Sequence, residues 1–158
     1  MRYPRLMLVV TLVSLVAAAC GTRRIPGTDI LDTADTRAIV ALIDHYRAAA
    51  ERRDAAAVLS LVSHRYFDDA GTPDPSDDVD YELLSKRIAG DYAKVTALRL
   101  EIGVKQIEVE NERATAYVFY DEHYRIATRA GEVAKQATDV HRMRFVREQG
   151  VWKIFSGL

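Results

Sequence analysis

The apolar residues change period half-way along the chain. In the first half, ADTRAIVALIDHYRAAAERRD repeats them at three- and four-residue steps as Ile39, Leu42, Ile43, Tyr46 and Ala50, the spacing that lays one stripe along a helix. In the second half Leu98, Leu100 and Ile102 alternate, and then Ile107 and Val109, which is the two-residue period of a strand. A chain that begins helical and ends in consecutive strands must bury helix stripes against a sheet. The pattern therefore predicts an α+β fold.

The elements follow from local signals. A first helix is expected over residues 34–53, with Thr33 or Asp35 as its cap. Asp54 can cap a second, shorter helix whose apolar face is Val58, Leu59, Leu61 and Val62, and a third is expected from Val79 to Tyr92. Between these last two, DDAGTPDPSDDVD holds six aspartates, two prolines and a glycine. It must be a loop, and its spacing lacks the ligand order of a calcium loop, so it reads as a solvated segment that caps the next helix. In the strand half the alternation changes phase near Gly103, where a β-bulge is expected. Asn111-Glu112 can then turn the chain so that Val109 faces Ala114 and Ile107 faces Ala116. Arg129 to Glu132 is the next turn, Lys135 to Arg147 the third long strand, and Gln149-Gly150 the hairpin into VWKIFSGL. The expected architecture is three N-terminal helices packed on a curved antiparallel sheet of about four strands.

Charge and cysteine narrow the function. Among 158 residues the basic and acidic side chains nearly balance, with a formal net charge of -1. No overall positive field draws the surface to a phosphate backbone, so no nucleic-acid partner is expected. The single cysteine, Cys20, excludes an internal disulfide and a cysteine-based zinc site. No metal and no cofactor are expected. Cys20 follows a charged start (Arg2, Arg5), an uncharged apolar run from Leu6 to Ala19 and a small-residue Ala17-Ala18-Ala19, the three parts of a secretory signal. The run is shorter than a membrane-spanning helix requires.

VAAACG resembles the bacterial lipoprotein cleavage box, with Ala17 where that box usually has Leu. The resemblance implies cleavage before Cys20, a diacylglycerol on its thiol and a palmitate-class acyl chain on its freed amine. Two or more chains hold a protein durably to a bilayer, so the membrane is the expected partner through lipid on Cys20. The same resemblance, with Gly21 after the cysteine, implies the cell envelope, on the periplasmic face of the outer membrane in a source that has one. An ordinary signal peptide with an incidental cysteine remains the other reading. The organisation is then a signal peptide over 1–19, a tether over 20–31 and one domain over 32–158.

RFVREQGVWKIFSGL and ERATAYVFY, in this order after three helices, resemble the nuclear transport factor 2-like superfamily over roughly residues 34–158. That resemblance implies a cone, a curved sheet wrapped around a long helix with a pocket between them, in a superfamily that includes isomerases, dehydratases, polyketide cyclases and transport factors. Asp139 and His141 share a strand face with Met143 and Phe145 by alternation, and a carboxylate beside an imidazole can move protons near neutral pH. Tyr46 and Tyr92, on helices, can donate hydrogen bonds to a developing enolate, the role of a tyrosine in the superfamily's isomerase. Against that stands an equal pair on the neighbouring strand, Asp121 and His123, and the plainer role of Tyr46, Tyr92 and Trp152 as core aromatics. Arg142, Arg144, Arg147 and Lys153 form a basic patch expected to pair with Glu108, Glu110 and Glu148 or to discourage edge-to-edge aggregation, with an anionic ligand as the other reading. The strand ERATAYVFY is apolar on both faces, which points to a homodimer through the sheet. The preferred reading is a membrane-anchored lipoprotein whose cone binds a small apolar ligand or serves as an accessory module without catalysis. An isomerase or dehydratase using Asp139 and His141 is the alternative, and an envelope protein-protein interaction module the third.

Overall fold

The structure, a computed structural model, describes residues 23–158. Cys20 and the leader expected over 1–19 lie outside the described residues. Residues 23–31, in the stretch expected to be a tether, close a small turn in which Arg24 bridges Leu31 and the Ile25 N–H donates to the Ile30 carbonyl at 2.9 Å.

Helix α1 runs Ala34–Glu51. Thr33 caps it reciprocally: its hydroxyl accepts from the Thr36 N–H at 3.1 Å, and the Thr36 hydroxyl accepts from the Thr33 N–H at 3.0 Å. Two of the donors that a helix start leaves unpaired are thus satisfied. Its buried stripe includes Ile39, Leu42, Ile43 and Ala50. It ends two residues before the expected position because Arg53 takes a positive φ of 56° and sends its guanidinium to the Val95 and Thr96 carbonyls. Helix α2, Ala55–Leu61, starts on Asp54, which accepts from the Ala57 N–H at 2.9 Å.

Two short strands were not expected. Phe67–Asp68 (β1) and Val79–Asp80 (β2) pair antiparallel across the acidic loop, so helix α3 starts at Tyr81 and not at Val79, and runs to Lys94. Asp80 caps it, accepting from the Leu83 N–H at 2.8 Å. The loop therefore ends in the capping residue that its composition suggested.

Four strands, β3 (Val95–Glu110), β4 (Arg113–Thr128), β5 (Gly131–Glu148) and β6 (Val151–Ser156), form an antiparallel meander in chain order. Ile107 faces Ala116 and Val109 faces Ala114, as expected. The bulge lies two residues past Gly103: Val104 still pairs with Val118, and the register shifts before Gln106. The reason is packing. Val104 keeps the inward phase of Leu98, Leu100 and Ile102, so the extra residue must be Lys105, which is exposed and loses nothing by leaving the alternation. The core lies between α1 and the concave sheet face, where Ile39, Ala116, Val118, Met143 and Ile154 are fully buried.

Candidate functional site

Alternation sets the concave face. On β4 it carries Ala114, Ala116, Val118 and Tyr120, all buried, and then Glu122. On β5 it carries Phe145, Met143, His141 and Asp139, with Val118 opposite His141 and Tyr120 opposite Asp139. The Tyr120 hydroxyl donates to the Met143 sulfur at 3.3 Å, and the His141 ring stacks on Tyr120 with centroids 4.4 Å apart.

Two cavities open near this face. The first, about 410 Å³, is walled by Tyr46 of α1, Val58 of α2, Leu84, Ile88 and Tyr92 of α3, and Tyr66. The second, about 610 Å³, is bordered by Asp139, His141, Arg142 and Arg144 of β5 and by the acidic loop. Asp68, Ala70 and Leu158 line both. Between them Asp68 accepts from the Tyr66 hydroxyl at 3.2 Å and from the Gly157 N–H at 2.6 Å. Gly157 has a φ of 92°, and a Cβ there would run into the Arg142 carbonyl oxygen, so only glycine lets the C-terminus lie here.

The four residues singled out in the sequence are thus divided between two places. Tyr46 and Tyr92 line the first cavity. Asp139 and His141, 3.2 Å apart, line the second, with Asp139 71% and His141 32% exposed at the side chain. Their face is the expected one, but they stand at the rim. Asp121 and His123 form an equally close pair, also 3.2 Å, on the opposite face of the sheet by alternation. The sheet therefore separates two pairs that the sequence could not rank.

Burial governs the phenols at and beside the first cavity. Burial, then the neighbouring Tyr120, Tyr92 and Glu122, pushes the Tyr46 phenol well above its ordinary value. Burial and then Glu122 push Tyr92 up to about 12, and Tyr120 is raised chiefly by burial. These phenols stay protonated and serve as donors. Glu122, half-buried beside them, is raised by burial. It was missed in the sequence, although it continues the Ala114, Ala116, Val118, Tyr120 alternation by one further step. The Asp-x-His spacing at 121 and 123 lies in the other phase.

The basic patch finds other partners than those expected. Arg147 lies over Trp152, 4.5 Å from the ring centroid, and pairs with Asp35 of α1. This bond, and then one from the Trp152 indole N–H, holds the Asp35 carboxyl below its ordinary range. Arg144 reaches Ser156 at 2.7 Å and Asp69 at 3.5 Å, while Glu148 is taken by Ser63 and Arg65. Glu108 and Glu110 sit on edge strand β3, two strands away from β5, too far across the sheet to serve.

A family model for the SnoaL-like domain matches residues 39–157. The chain belongs to the SnoaL-like domain family. Among solved structures, this SnoaL-like domain superposes on a protein of Kribbella flavida with a TM-score of 0.65 at 15% identity, covering 77% of this chain and 86% of that one. A ketosteroid isomerase-like protein from Erwinia carotovora atroseptica gives 0.63 at 16%, covering 78% and 93%. A candidate dehydratase of the NTF2-like family from Streptomyces avermitilis gives 0.59 at 16%, covering 77% and 91%. At such identities the likeness is one of fold, and it supports the nuclear transport factor 2-like architecture read from the sequence. No curated protein matches the chain in sequence.

Proposed function

We propose that this chain is a lipid-anchored envelope protein whose SnoaL-like domain binds a small, mostly apolar molecule carrying a hydroxyl or carbonyl group, and does not transform it. The observation that carries this reading is the content of the first cavity. Val58, Leu84 and Ile88 offer apolar area to the ligand, while Tyr46 and Tyr92 offer protonated phenols that donate hydrogen bonds. Asp68, Asp77, Arg87 and Asp91 also line it, and a concave site that joins apolar walls to converging polar groups suits a ligand that carries both. Asp139 and His141, the acid-base pair singled out on the concave face, border the neighbouring cavity instead.

The test is native mass spectrometry of the full chain extracted in detergent. A small-molecule adduct is expected on the wild type, lost in Leu84→Trp, which fills the cavity, and weakened in Tyr92→Phe. A protein free of adduct that also fails to take up apolar alcohols or ketones would overturn the reading.

A second reading, an isomerase or dehydratase, draws support from Glu122. A carboxyl with a raised pKa beside three phenols is the type of group that can exchange protons with a bound carbonyl compound. The similar structures that carry isomerase and dehydratase names fit this reading too. Turnover lost in Glu122→Gln with ligand binding retained would select it.

A further inference from the structure

The feature that the ligand reading leaves unused is the open edge of β5. That strand runs Gly131–Glu148, yet β6 pairs only with Arg144–Glu148. Along Gly131–Met143 it pairs with β4 on one side and with no strand among the described residues on the other. Every residue of Gly131–Val140 is exposed. Open edges recruit strands, and proteins usually blunt them with proline, bulges or charge. This edge has no proline, and its pairing with β4 has no register shift. Charge is the remaining device.

The charges are arranged symmetrically and with opposite sign about Ala137. Lys135 and Asp139 stand two residues to either side of it, and Glu132 and Arg142 five residues to either side. When two such strands pair antiparallel about a two-fold axis at Ala137, Lys135 lies opposite Asp139, and Glu132 lies opposite Arg142. The axis repeats both pairs, one kind on each face of the joined sheet. Centring the axis on Gln136 or Thr138 leaves Asp139 opposite Val133 or Ala137, without a counter-charge. Charges that would repel in other registers attract in this one. Lys135 has no ion-pair partner among the described residues, whereas Asp139 meets His141 at 3.2 Å and Glu132 meets Arg125 at 3.8 Å. Gly157 lies against the Arg142 backbone, so backbone pairing stops near His141 and Arg142 joins through its side chain.

We propose that two copies of this chain pair along β5, over Val133–His141, about a two-fold axis at Ala137, and so join their sheets into one. The joint sets Lys135 of one copy beside Asp139 of the other, at the rim of the second cavity. It differs from the homodimer expected through the sheet face, being an edge contact between like strands, and it stands independently of the ligand: a monomer that binds ligand would end this proposal and leave the other intact.

The test uses the full chain in detergent. Ala137→Cys places a thiol opposite itself, within the reach of a disulfide, whereas Val133→Cys places its two copies roughly 26 Å apart. Oxidation should link Ala137→Cys into a dimer, leave Val133→Cys no more linked than wild type, and link an equal mixture of Val133→Cys with His141→Cys. In sedimentation, Lys135→Asp should weaken the dimer about tenfold, and adding Asp139→Lys should restore it. A chain that stays monomeric at micromolar concentration overturns the proposal. So does a dimer that fails to link at position 137 or ignores the charge reversal.

Discussion

Glu122 shows how much one side chain's surroundings can decide. Its place on β4 puts it after four buried positions of the same phase, where burial disfavours its charge and raises its pKa. For an acid raised in this way the folded state holds the proton more tightly than the unfolded chain does. Its contribution to stability is full below the ordinary value of 4.5 and is lost as pH rises through the raised one. Glu122→Gln should therefore melt higher than wild type at about pH 7, with the difference vanishing at about pH 4. Thermal scans of both proteins across that range check it, and a Gln variant that melted lower at neutral pH would show that the charge is satisfied. Tyr120 is two residues away, but the burial and the Tyr46 and Tyr92 phenols come from α1 and α3, distant in the chain, and cannot be read from the sequence around Glu122.

At the level of elements, local signals did most of their work where the partner is local. The Thr33 cap, the Asp54 and Asp80 caps and the Asn111 and Gln149-Gly150 turns all involve groups a few residues apart. Asn111, Gln149 and Gly150 have the positive φ that such turns require. Thr33→Ala removes one arm of the capping box and should cost about 1 kcal/mol, lowering Tm by about 3 °C in a chain of this size. Calorimetry measures this directly. The elements that escaped were those defined by a remote neighbour. β1 and β2 have two residues each and exist only because residues on either side of the acidic loop meet. The bulge was misplaced by two residues because Gly103 marks flexibility, whereas the true position is dictated by Val118 opposite Val104.

At the scale of the whole molecule, the proposed lipid anchor and the domain answer different questions. If Cys20 is acylated, the domain is tied to a bilayer and meets its partners at a surface. Cys20→Ser should then abolish labelling by a radioactive fatty acid and release the protein from the membrane fraction. Labelling that persisted in this variant would remove the anchor and leave the domain's fold untouched. Pairing along β5 would further hold two anchored copies together, each contributing lipid, which strengthens membrane residence beyond what either has alone.

The sequence by itself determined the α+β order, the starts of the first two helices and the strand register across the first hairpin. Each rests on periodicity or on contacts within a few residues. Only the tertiary structure decided which acid-base pair lies on the concave face, that Tyr46 and Tyr92 share a cavity that Asp139 and His141 do not, and that Glu122 stands beside those phenols. These depend on which side of a strand faces the helices and on where the C-terminus closes against Asp68. Such relations join residues as far apart as Tyr46 and Leu158, and no local pattern records them.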